Sequence, residues 1–417
     1  MALMNSIIDY VNGLGFAYLL PLMVLIMALI LKVKLGKAIV SALTIGVGFV
    51  GMGILISYFH QVLSPAVLIL AEKMNGSVNI VDMGWAIVAT SAFSTPIGVL
   101  VLPLTLLINY LMLKIKWTKT FNLDIWNFWH FAFTSSIVFI VSGGSVILSL
   151  VAASIHCIFT LVVADFSAKN LQTFFNVPSV SAPQGWLVTS VPLVWVLDWI
   201  VERIPGLRDI EWKPDRITKT LGFLGQPTVL GILLGLIIGL IAYGLSPSGF
   251  VFALQISALM LLIPSLVPFF KEGLTPLSDA TREFFIKHFG EMDHYDVIDY
   301  GVLMGHPNNG AAGLILMLVT LIIAFLLPGV KTLPLADLAI TAFFVAMIPP
   351  LTNGNLFRSI FYGIVIMLVV LFTSNALAPD FSMIATTIGI NGSDVLVTSL
   401  AGGNWLVWIL ARIASIF

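Results

Sequence analysis

The chain has 417 residues, of which 59% are hydrophobic and only 9% are charged. Soluble domains carry roughly 25% charged residues, so the composition excludes a soluble globular protein and predicts that lipid surrounds most of the surface. The net charge of −1 excludes nucleic acid as a partner, because the chain has no basic excess to neutralise phosphates.

The apolar segments predict an all-α polytopic membrane protein with about 10–12 transmembrane helices, each needing about 20 mainly apolar residues. The first segment is predicted to be a span rather than a signal peptide, since no basic stretch precedes it and no small-residue cleavage site is evident. Two shorter or interrupted segments, Ile125–Val141 and Leu335–Pro350, are predicted re-entrant arms. The predicted spans are Phe16–Leu31, Ala38–Phe59, Gly84–Leu113, Gly143–Ala164, Gly185–Val201, Gly222–Tyr243, Phe250–Phe270, Gly301–Leu327, Phe357–Leu377 and Val395–Ile413.

Lysine and arginine residues in the loops predict the orientation of the chain. All the basic groups lie on one side of the membrane if Ile125–Val141 does not cross it. Because basic loops face the cytoplasm, the N-terminus is predicted to lie outside, and Gln61–Asp82 is predicted to be an outer loop. The basic groups fall within residues 32–37, 114–119, 203–219 and 271–287.

The two halves of the chain carry the same polar and proline punctuation at a nearly constant offset. Lys119 falls on Lys331 (331 − 119 = 212), and Pro96 falls beside Pro307 (307 − 96 = 211). The first half starts outside and crosses the membrane an odd number of times, so the second half starts inside. This pattern predicts two inverted repeats, which let a transporter expose one site to each side in turn.

The repeat also predicts the domain organisation. Residues 1–205 are the first transmembrane repeat, residues 206–221 are a cytoplasmic linker, and residues 222–417 are the second transmembrane repeat. Together they are predicted to form one transport domain around a small polar solute.

Interrupted helices at matching positions predict the solute site, because freed backbone groups there can bind a ligand. One pair of breaks is Ser91–Pro96 and Gly305–Gly310, and the other is Val141–Ser145 and Pro349–Asn355. Amide and imidazole groups donate and accept hydrogen bonds, as each hydroxyl of a polyhydroxylated solute requires. Alternatively, these side chains cap the broken helices and bond to their own backbone. The candidate binding residues in the second half are His306, Asn308, Asn309, Asn353 and Asn355.

Two more candidate binding residues lie in the first half. His130 ends the string Trp-Asn-Phe-Trp-His, where a neutral imidazole could accept a proton from a solute hydroxyl and the rings could stack on a sugar. The alternative is an interfacial aromatic belt with a histidine at the headgroups. Gln184 opens a predicted span at a Pro/Gly break, and it either lines the site or is a plain loop residue at the helix start.

Four other polar residues are further candidates for a role in the site. Asp82 and Asp293 precede corresponding spans (293 − 82 = 211), and we interpret both as solvated acids in loops. His156 and Asp165 are possible participants, but no sequence pattern supports either of them.

The sequence predicts no cofactor, no metal and no catalytic residue in this chain. It has no Gly-x-x-x-x-Gly-Lys-Ser/Thr loop for a nucleotide and no Cys/His metal cluster. The energy for transport is therefore expected from an ion gradient or from a partner protein.

Several strings resemble one family, the galactitol-type IIC component of the bacterial phosphotransferase system, in the ascorbate–galactitol superfamily. The likeness runs through nearly the whole chain. The strings are Asn122–His130, Lys271–Arg282, Gly305–Gly310, Leu333–Leu338 and Thr352–Arg358.

The resemblance implies a homodimer in the bacterial cytoplasmic (inner) membrane, with a core domain that holds re-entrant hairpins and a second, V-shaped domain. It implies that galactitol or a related polyol or sugar is carried inward and phosphorylated by a phosphocysteine on a separate IIB protein, which IIA and the general phosphotransferase proteins charge. The only cysteine, Cys157, lies in an apolar segment, so it is not that phosphocysteine. His130 and Gln184 are the positions that match the histidine and glutamine lining the sugar site in the ascorbate branch.

The resemblance further implies that the basic inner loops, Arg203–Lys219 and Lys271–Lys287, are docking surfaces for IIB. The alternative function is an ion-gradient-driven secondary transporter of a small polar solute on the same fold. The two differ in their product, because only the phosphotransferase permease delivers a phosphorylated solute.

Overall fold

The computed structural model describes residues 18–73, 79–212, 226–290, 294–298, 300–390 and 395–417. Residues 16–17 of the first predicted span, residues 213–221 of the predicted linker and residues 222–225 of the sixth span lie outside the described residues, as does Asp293.

Helices make up most of the described chain. In the first half they are α1 (Leu19–Ile30), α2 (Leu35–Lys73), α3 (Trp85–Phe93), α4 (Pro96–Lys114), α5 (Trp129–Val141), α6 (Val146–Phe175) and α7 (Leu187–Val201). In the second half they are α8 (Pro227–Tyr243), α9 (Pro247–Ser265), α10 (Val267–Phe289), α11 (Tyr300–Gly305), α12 (Pro307–Leu326), α13 (Thr341–Phe344), α14 (Ile348–Leu351), α15 (Leu356–Ala385) and α16 (Trp405–Ala414). Short 3₁₀ helices cover Ile125–Phe128, Ala336–Ile340, Thr386–Ile388 and Leu400–Gly402.

Six helical segments of the described chain are long and apolar enough to cross a membrane: Leu35–Leu70, Pro96–Lys114, Val146–Phe175, Pro247–Phe289, Asn308–Leu326 and Leu356–Ile388. Six shorter apolar helices accompany them. Four of the shorter helices coincide with predicted spans, and the other two, Ile125–Val141 and Ala336–Leu351, coincide with the predicted arms.

Two sequence predictions about this region are wrong. The expected outer loop Gln61–Asp82 is helical as far as Lys73, because α2 continues through Pro65 with Val67 and Leu70 packed in the core. Asp82 is fully buried rather than solvated, because it accepts hydrogen bonds from backbone groups of other loops.

Prolines and polar caps divide the helices at the expected breaks. Pro96 and Pro307 each occupy the first turn of a helix, where the missing N–H is not needed. Thr95 caps α4 by accepting a hydrogen bond from the Gly98 N–H at 2.9 Å. His306 caps α12 in the same way, with Nδ1 accepting from the Asn308 N–H at 3.3 Å.

Five short strands join distant parts of the chain. In one sheet, β1 (Ile80–Asp82) pairs in parallel with β4 (Thr332–Leu333) on one side and β5 (Leu396–Thr398) on the other. In the other, β3 (Asp296–Val297) pairs in parallel with β2 (Val180–Ser181), and the adjoining residue Tyr295 bridges Thr120. In the first sheet the central strand therefore comes from the first half of the chain and both neighbours from the second half, and the second sheet pairs one strand from each half.

The described elements recur at an offset close to 212 residues. Helices α2 and α9 start 212 residues apart (247 − 35 = 212). Helices α6 and α15 both have 30 residues and start 210 residues apart (356 − 146 = 210). The turns before α6 and α15 both have two consecutive residues with positive φ, Gly143-Gly144 and Asn353-Gly354.

Two fully buried carboxylates hold the loops around the first sheet. Asp82 Oδ2 accepts from the backbone N–H groups of Leu335 at 3.1 Å and Asp337 at 2.8 Å. Its Oδ1 accepts from Gly84 at 3.1 Å and Leu400 at 3.4 Å.

Asp337 extends this network from the other half of the chain. Its Oδ1 accepts from the Trp85 N–H at 2.7 Å, and its Oδ2 accepts from the Ala401 N–H at 2.8 Å and the Ser399 hydroxyl at 2.6 Å. The two aspartates therefore connect the start of α3, the second predicted arm and the loop before α16.

Removal of the Asp82 carboxylate is expected to destabilise the whole fold. In the Asp82→Ala variant, buried backbone donors lose their acceptor, and each unpaired donor costs about 1–3 kcal/mol. We expect a much lower melting temperature in detergent, or loss of the monodisperse protein, by fluorescence-detected size-exclusion chromatography after heating. The control is Asp209→Ala, because Asp209 is exposed and pairs with exposed Arg208. Equal melting of the two variants would contradict the role of Asp82.

Candidate functional site

A cavity of about 220 Å³ lies where the 3₁₀ turn before α5, the loop before α7 and the start of α11 meet. We call it the aromatic chamber, because tryptophan, tyrosine and phenylalanine rings form much of its wall. Its lining residues are Trp85, Trp126, Asn127, Trp129, His130, Gln184, Trp186, Lys271, Tyr300, Ile340, Phe343 and Ala401.

His130 and Gln184 contact each other in the chamber wall through Nε2 of each side chain. Gln184 Oε1 accepts from the backbone N–H groups of Trp186 at 2.9 Å and Leu187 at 2.7 Å, so the amide is fixed at the start of α7. Its amide nitrogen then faces the ring, and His130 Nε2 accepts from it. Both side chains are buried, and the structure brings these two predicted binding residues together.

A second histidine supports this pair from behind. His156 Nε2 donates to the Gly185 carbonyl at 2.8 Å, and its Nδ1 lies 2.7 Å from the Thr134 hydroxyl of α5. Gly185 is needed here for close approach, because a Cβ at this position would lie 2.7 Å from His130 Cβ. His156 thus holds the loop that carries Gln184 against the helix that carries His130.

Three buried donors in the chamber wall lack a hydrogen-bond partner within the described residues. They are the indole Nε1 atoms of Trp126 and Trp186 and the hydroxyl of Tyr300. Buried polar groups are normally paired, so each unpaired group calls for an explanation. Hydroxyl groups of a bound solute would satisfy these donors.

A second cavity, of about 370 Å³, adjoins the aromatic chamber and shares Lys271 and Tyr300 with it. We call it the charged chamber. Its lining residues are Phe121, Leu123, Asp124, Lys271, Ser278, Asp279, Arg282, Asp296, Val297, Ile298 and Tyr300.

Asp124 connects the two chambers through Asn127. The Asn127 amide, which lines the aromatic chamber, donates to Asp124 Oδ2 at 2.6 Å. Burial raises the pKa of Asp124 above its ordinary value, whereas the hydrogen bond from Asn127 and the positive charge of Lys271 act in the opposite direction.

The other five predicted binding residues lie away from the aromatic chamber. The Asn308 amide donates to the Gly354 carbonyl, and the Asn309 amide donates to the Leu303 carbonyl. His306 caps α12 as described above. His306 and Asn309 therefore bond to the backbone around the break before α12, whereas Asn308 links that break to the turn before α15.

The remaining two residues, Asn353 and Asn355, border a third cavity of about 310 Å³, which we call the tip pocket. Asn355 caps α15 and donates to the Ile210 carbonyl at 2.7 Å, and Asn353 has a left-handed φ of 52°. Arg358, also in its wall, is paired with Asp198 and Glu202.

Among the residues of the aromatic chamber, sequence reasoning missed five whose side chains can donate a hydrogen bond. The repeat could have identified Trp85 and Tyr300, because they stand at the starts of α3 and α11 (300 − 85 = 215). Trp186 lies two residues after Gln184. Lys271 and Asn127 carry no such signal, because only the fold brings them to the chamber.

Comparison with known proteins agrees with the membrane character of the fold. Residues 10–397 match the family model EIIC-GAT, described as the sugar-specific permease component of the PTS system. A protein of Escherichia coli K12 named "Putative permease IIC component" is 34% identical over 410 residues, covering 98% of this chain and 94% of that protein. The galactitol-specific EIIC component of the PTS system of the same strain is 31% identical over 413 residues, covering 99% and 91%.

Proposed function

The chain belongs to the EIIC-GAT family of sugar-specific permease components of the phosphotransferase system, and we propose that it carries galactitol or a related polyol or sugar inward for phosphorylation by a separate IIB protein. Family membership and the apolar helices make it an integral protein of the inner membrane. One relative is named as galactitol-specific, which supports a polyol as the solute class.

The observation that carries this proposal is the aromatic chamber. Its volume of about 220 Å³ suits a small solute, since drug-sized ligands occupy pockets of roughly 300–1,000 Å³. Tryptophan rings offer apolar faces to C–H groups, while the unpaired donors and the His130–Gln184 pair offer hydrogen bonds to hydroxyls. A polyol has both kinds of surface.

We assign the predicted binding residues to two roles. His130 and Gln184 bind the solute in the aromatic chamber. The other five residues shape the breaks before α12 and α15, because most of their side chains already bond to backbone groups. They are His306, Asn308, Asn309, Asn353 and Asn355.

We propose that the two halves, residues 1–205 and 222–417, are inverted repeats joined by a cytoplasmic linker over residues 206–221. The similar offsets between α2 and α9 and between α6 and α15, and the pairing of strands from different halves, support this arrangement. By family likeness, we propose a homodimer in which each protomer has a core domain with re-entrant hairpins and a V-shaped domain. The N-terminus then lies outside.

The phosphate comes from a partner protein in this proposal. Cys157 is buried, so it cannot be the residue that receives phosphate from soluble proteins. IIB, charged by IIA, supplies the phosphocysteine, and the basic segments Arg203–Lys219 and Lys271–Lys287 provide its docking surface. The prediction that Lys271–Lys287 is a loop is wrong, because these residues belong to helix α10. Positioning and charge neutralisation are the main requirements for such a transfer.

Phosphorylation assays in inside-out membrane vesicles test the function. With phosphoenolpyruvate, the general phosphotransferase proteins, IIA and IIB, we expect wild-type vesicles to convert galactitol to galactitol phosphate. His130→Ala should lose this activity, because the solute loses a hydrogen-bonding partner in the chamber. His306→Ala, the matched control, should retain most of it. Uptake of unmodified galactitol without IIB would instead support the ion-driven transporter.

Cysteine labelling tests the inverted repeats. Trp117 is exposed in the loop after α4, and Pro328 is exposed in the corresponding loop after α12 (328 − 117 = 211). Because the native Cys157 is buried, an impermeant maleimide should label W117C only in inside-out vesicles and P328C only in intact cells. Labelling of both variants from the same side would exclude the inverted arrangement.

A further inference from the structure

The two adjoining chambers suggest where the phosphoryl group meets the solute. Lys271 and Tyr300 line both chambers, so they form the wall that the two chambers share. The charged chamber is bordered by α10 and β3 from the second half of the chain and by the segment around Asp124 from the first half. A partner's phosphocysteine would need such a polar recess to approach the solute.

The charged residues of this recess are not equivalent. Arg282 pairs with Asp296 at 3.1 Å, so its charge is already balanced. Lys271 is exposed, and no hydrogen bond or ion pair of its ammonium group is found in the described part of the chain. Lys271 is therefore available to an incoming anion.

The carboxylates differ in the same way. Asp279 is exposed on α10. Asp124 accepts a hydrogen bond from the Asn127 amide, and Asn127 also lines the aromatic chamber. A carboxylate held between a solute cavity and an anion-accessible recess is well placed to receive a proton from a solute hydroxyl.

We propose that phosphoryl transfer takes place at the boundary of the two chambers, with Asp124 as the proton acceptor and Lys271 as the cation that neutralises the phosphoryl oxygens. This inference rests on the proposed function. The solute hydroxyl oxygen forms a bond to phosphorus, the S–P bond of the partner's phosphocysteine breaks, and its electron pair stays on the sulfur as a thiolate. The hydroxyl proton passes to the Asp124 carboxylate, and no atom is oxidised or reduced.

In this proposal, solute binding and phosphoryl transfer depend on different residues of one site. His130 Nε2 already accepts from the Gln184 amide, so this nitrogen holds the solute site together and is not free to take the proton. Lys271 acts as a point charge on the phosphoryl group, which is the usual role of lysine at phosphates. A solute held between the tryptophans thus presents one hydroxyl toward Asp124.

Two conservative variants test the proposal, Asp124→Asn and Lys271→Gln. Purified variants are titrated with galactitol by calorimetry, and vesicles containing them are assayed for galactitol phosphate with phosphoenolpyruvate and the complete set of phosphotransferase proteins. We expect galactitol affinity to match wild type, because neither group is needed to hold the free solute. The phosphorylation rate should fall about a hundredfold in each variant, as when one transition-state partner is removed.

Exposed residues outside both chambers and outside the proposed docking segments serve as matched controls. Glu72→Gln removes a carboxylate from α2, and Lys169→Gln removes a cation from α6. Both should phosphorylate at the wild-type rate. Lys271→Arg should recover part of the activity lost in Lys271→Gln, since it restores the positive charge.

The outcomes separate this inference from the proposed function. Wild-type phosphorylation rates in Asp124→Asn and Lys271→Gln would overturn the inference and leave the proposed function standing. A loss of galactitol affinity as large as the loss of rate would also overturn it, because the residues would then act in binding. Absence of a phosphorylated product with wild-type vesicles, for galactitol and for related polyols and sugars, would overturn the proposed function itself.

Discussion

A bilayer offers no water to the polar backbone, so every break in a membrane helix needs an internal hydrogen-bond partner. In this protein, Asp82 and Asp337 supply much of that need with buried carboxylates. Asp82 lies in the first half and accepts from the second predicted arm, while Asp337 lies in the second half and accepts from the Trp85 N–H. The broken segments around the first sheet are thereby tied into one structure, and the aromatic chamber is built on that structure.

The same constraint links fold to site. Trp85 and Ala401 line the aromatic chamber, and their backbone N–H groups donate hydrogen bonds to the Asp337 carboxylate. The Gln184 side-chain oxygen accepts hydrogen bonds at the start of α7, so its amide nitrogen faces His130. The chamber wall is therefore positioned by hydrogen bonds that its residues need in any case. The groups left unpaired, such as the Tyr300 hydroxyl, are those that a solute can satisfy.

Sequence reasoning located the apolar helices and the proline breaks, because each of these leaves a local or periodic signal. The inverted repeat stays a prediction. It also singled out His130 and Gln184, which the fold brings into contact. It mistook buried Asp82 for a solvated loop acid, because its donors Leu335, Asp337 and Leu400 lie more than 250 residues further along the chain (335 − 82 = 253). Strands of two or three residues carry no alternation pattern, so the sheets were also out of reach.

We propose above all that a polyol binds between the tryptophan rings beside His130. The most direct measurement is an electron cryo-microscopy structure of the purified protein with galactitol bound in a lipid nanodisc. We expect density for the solute in the aromatic chamber, within hydrogen-bonding distance of His130 or Gln184. Solute density in the tip pocket beside Asn353, with an empty aromatic chamber, would contradict the account.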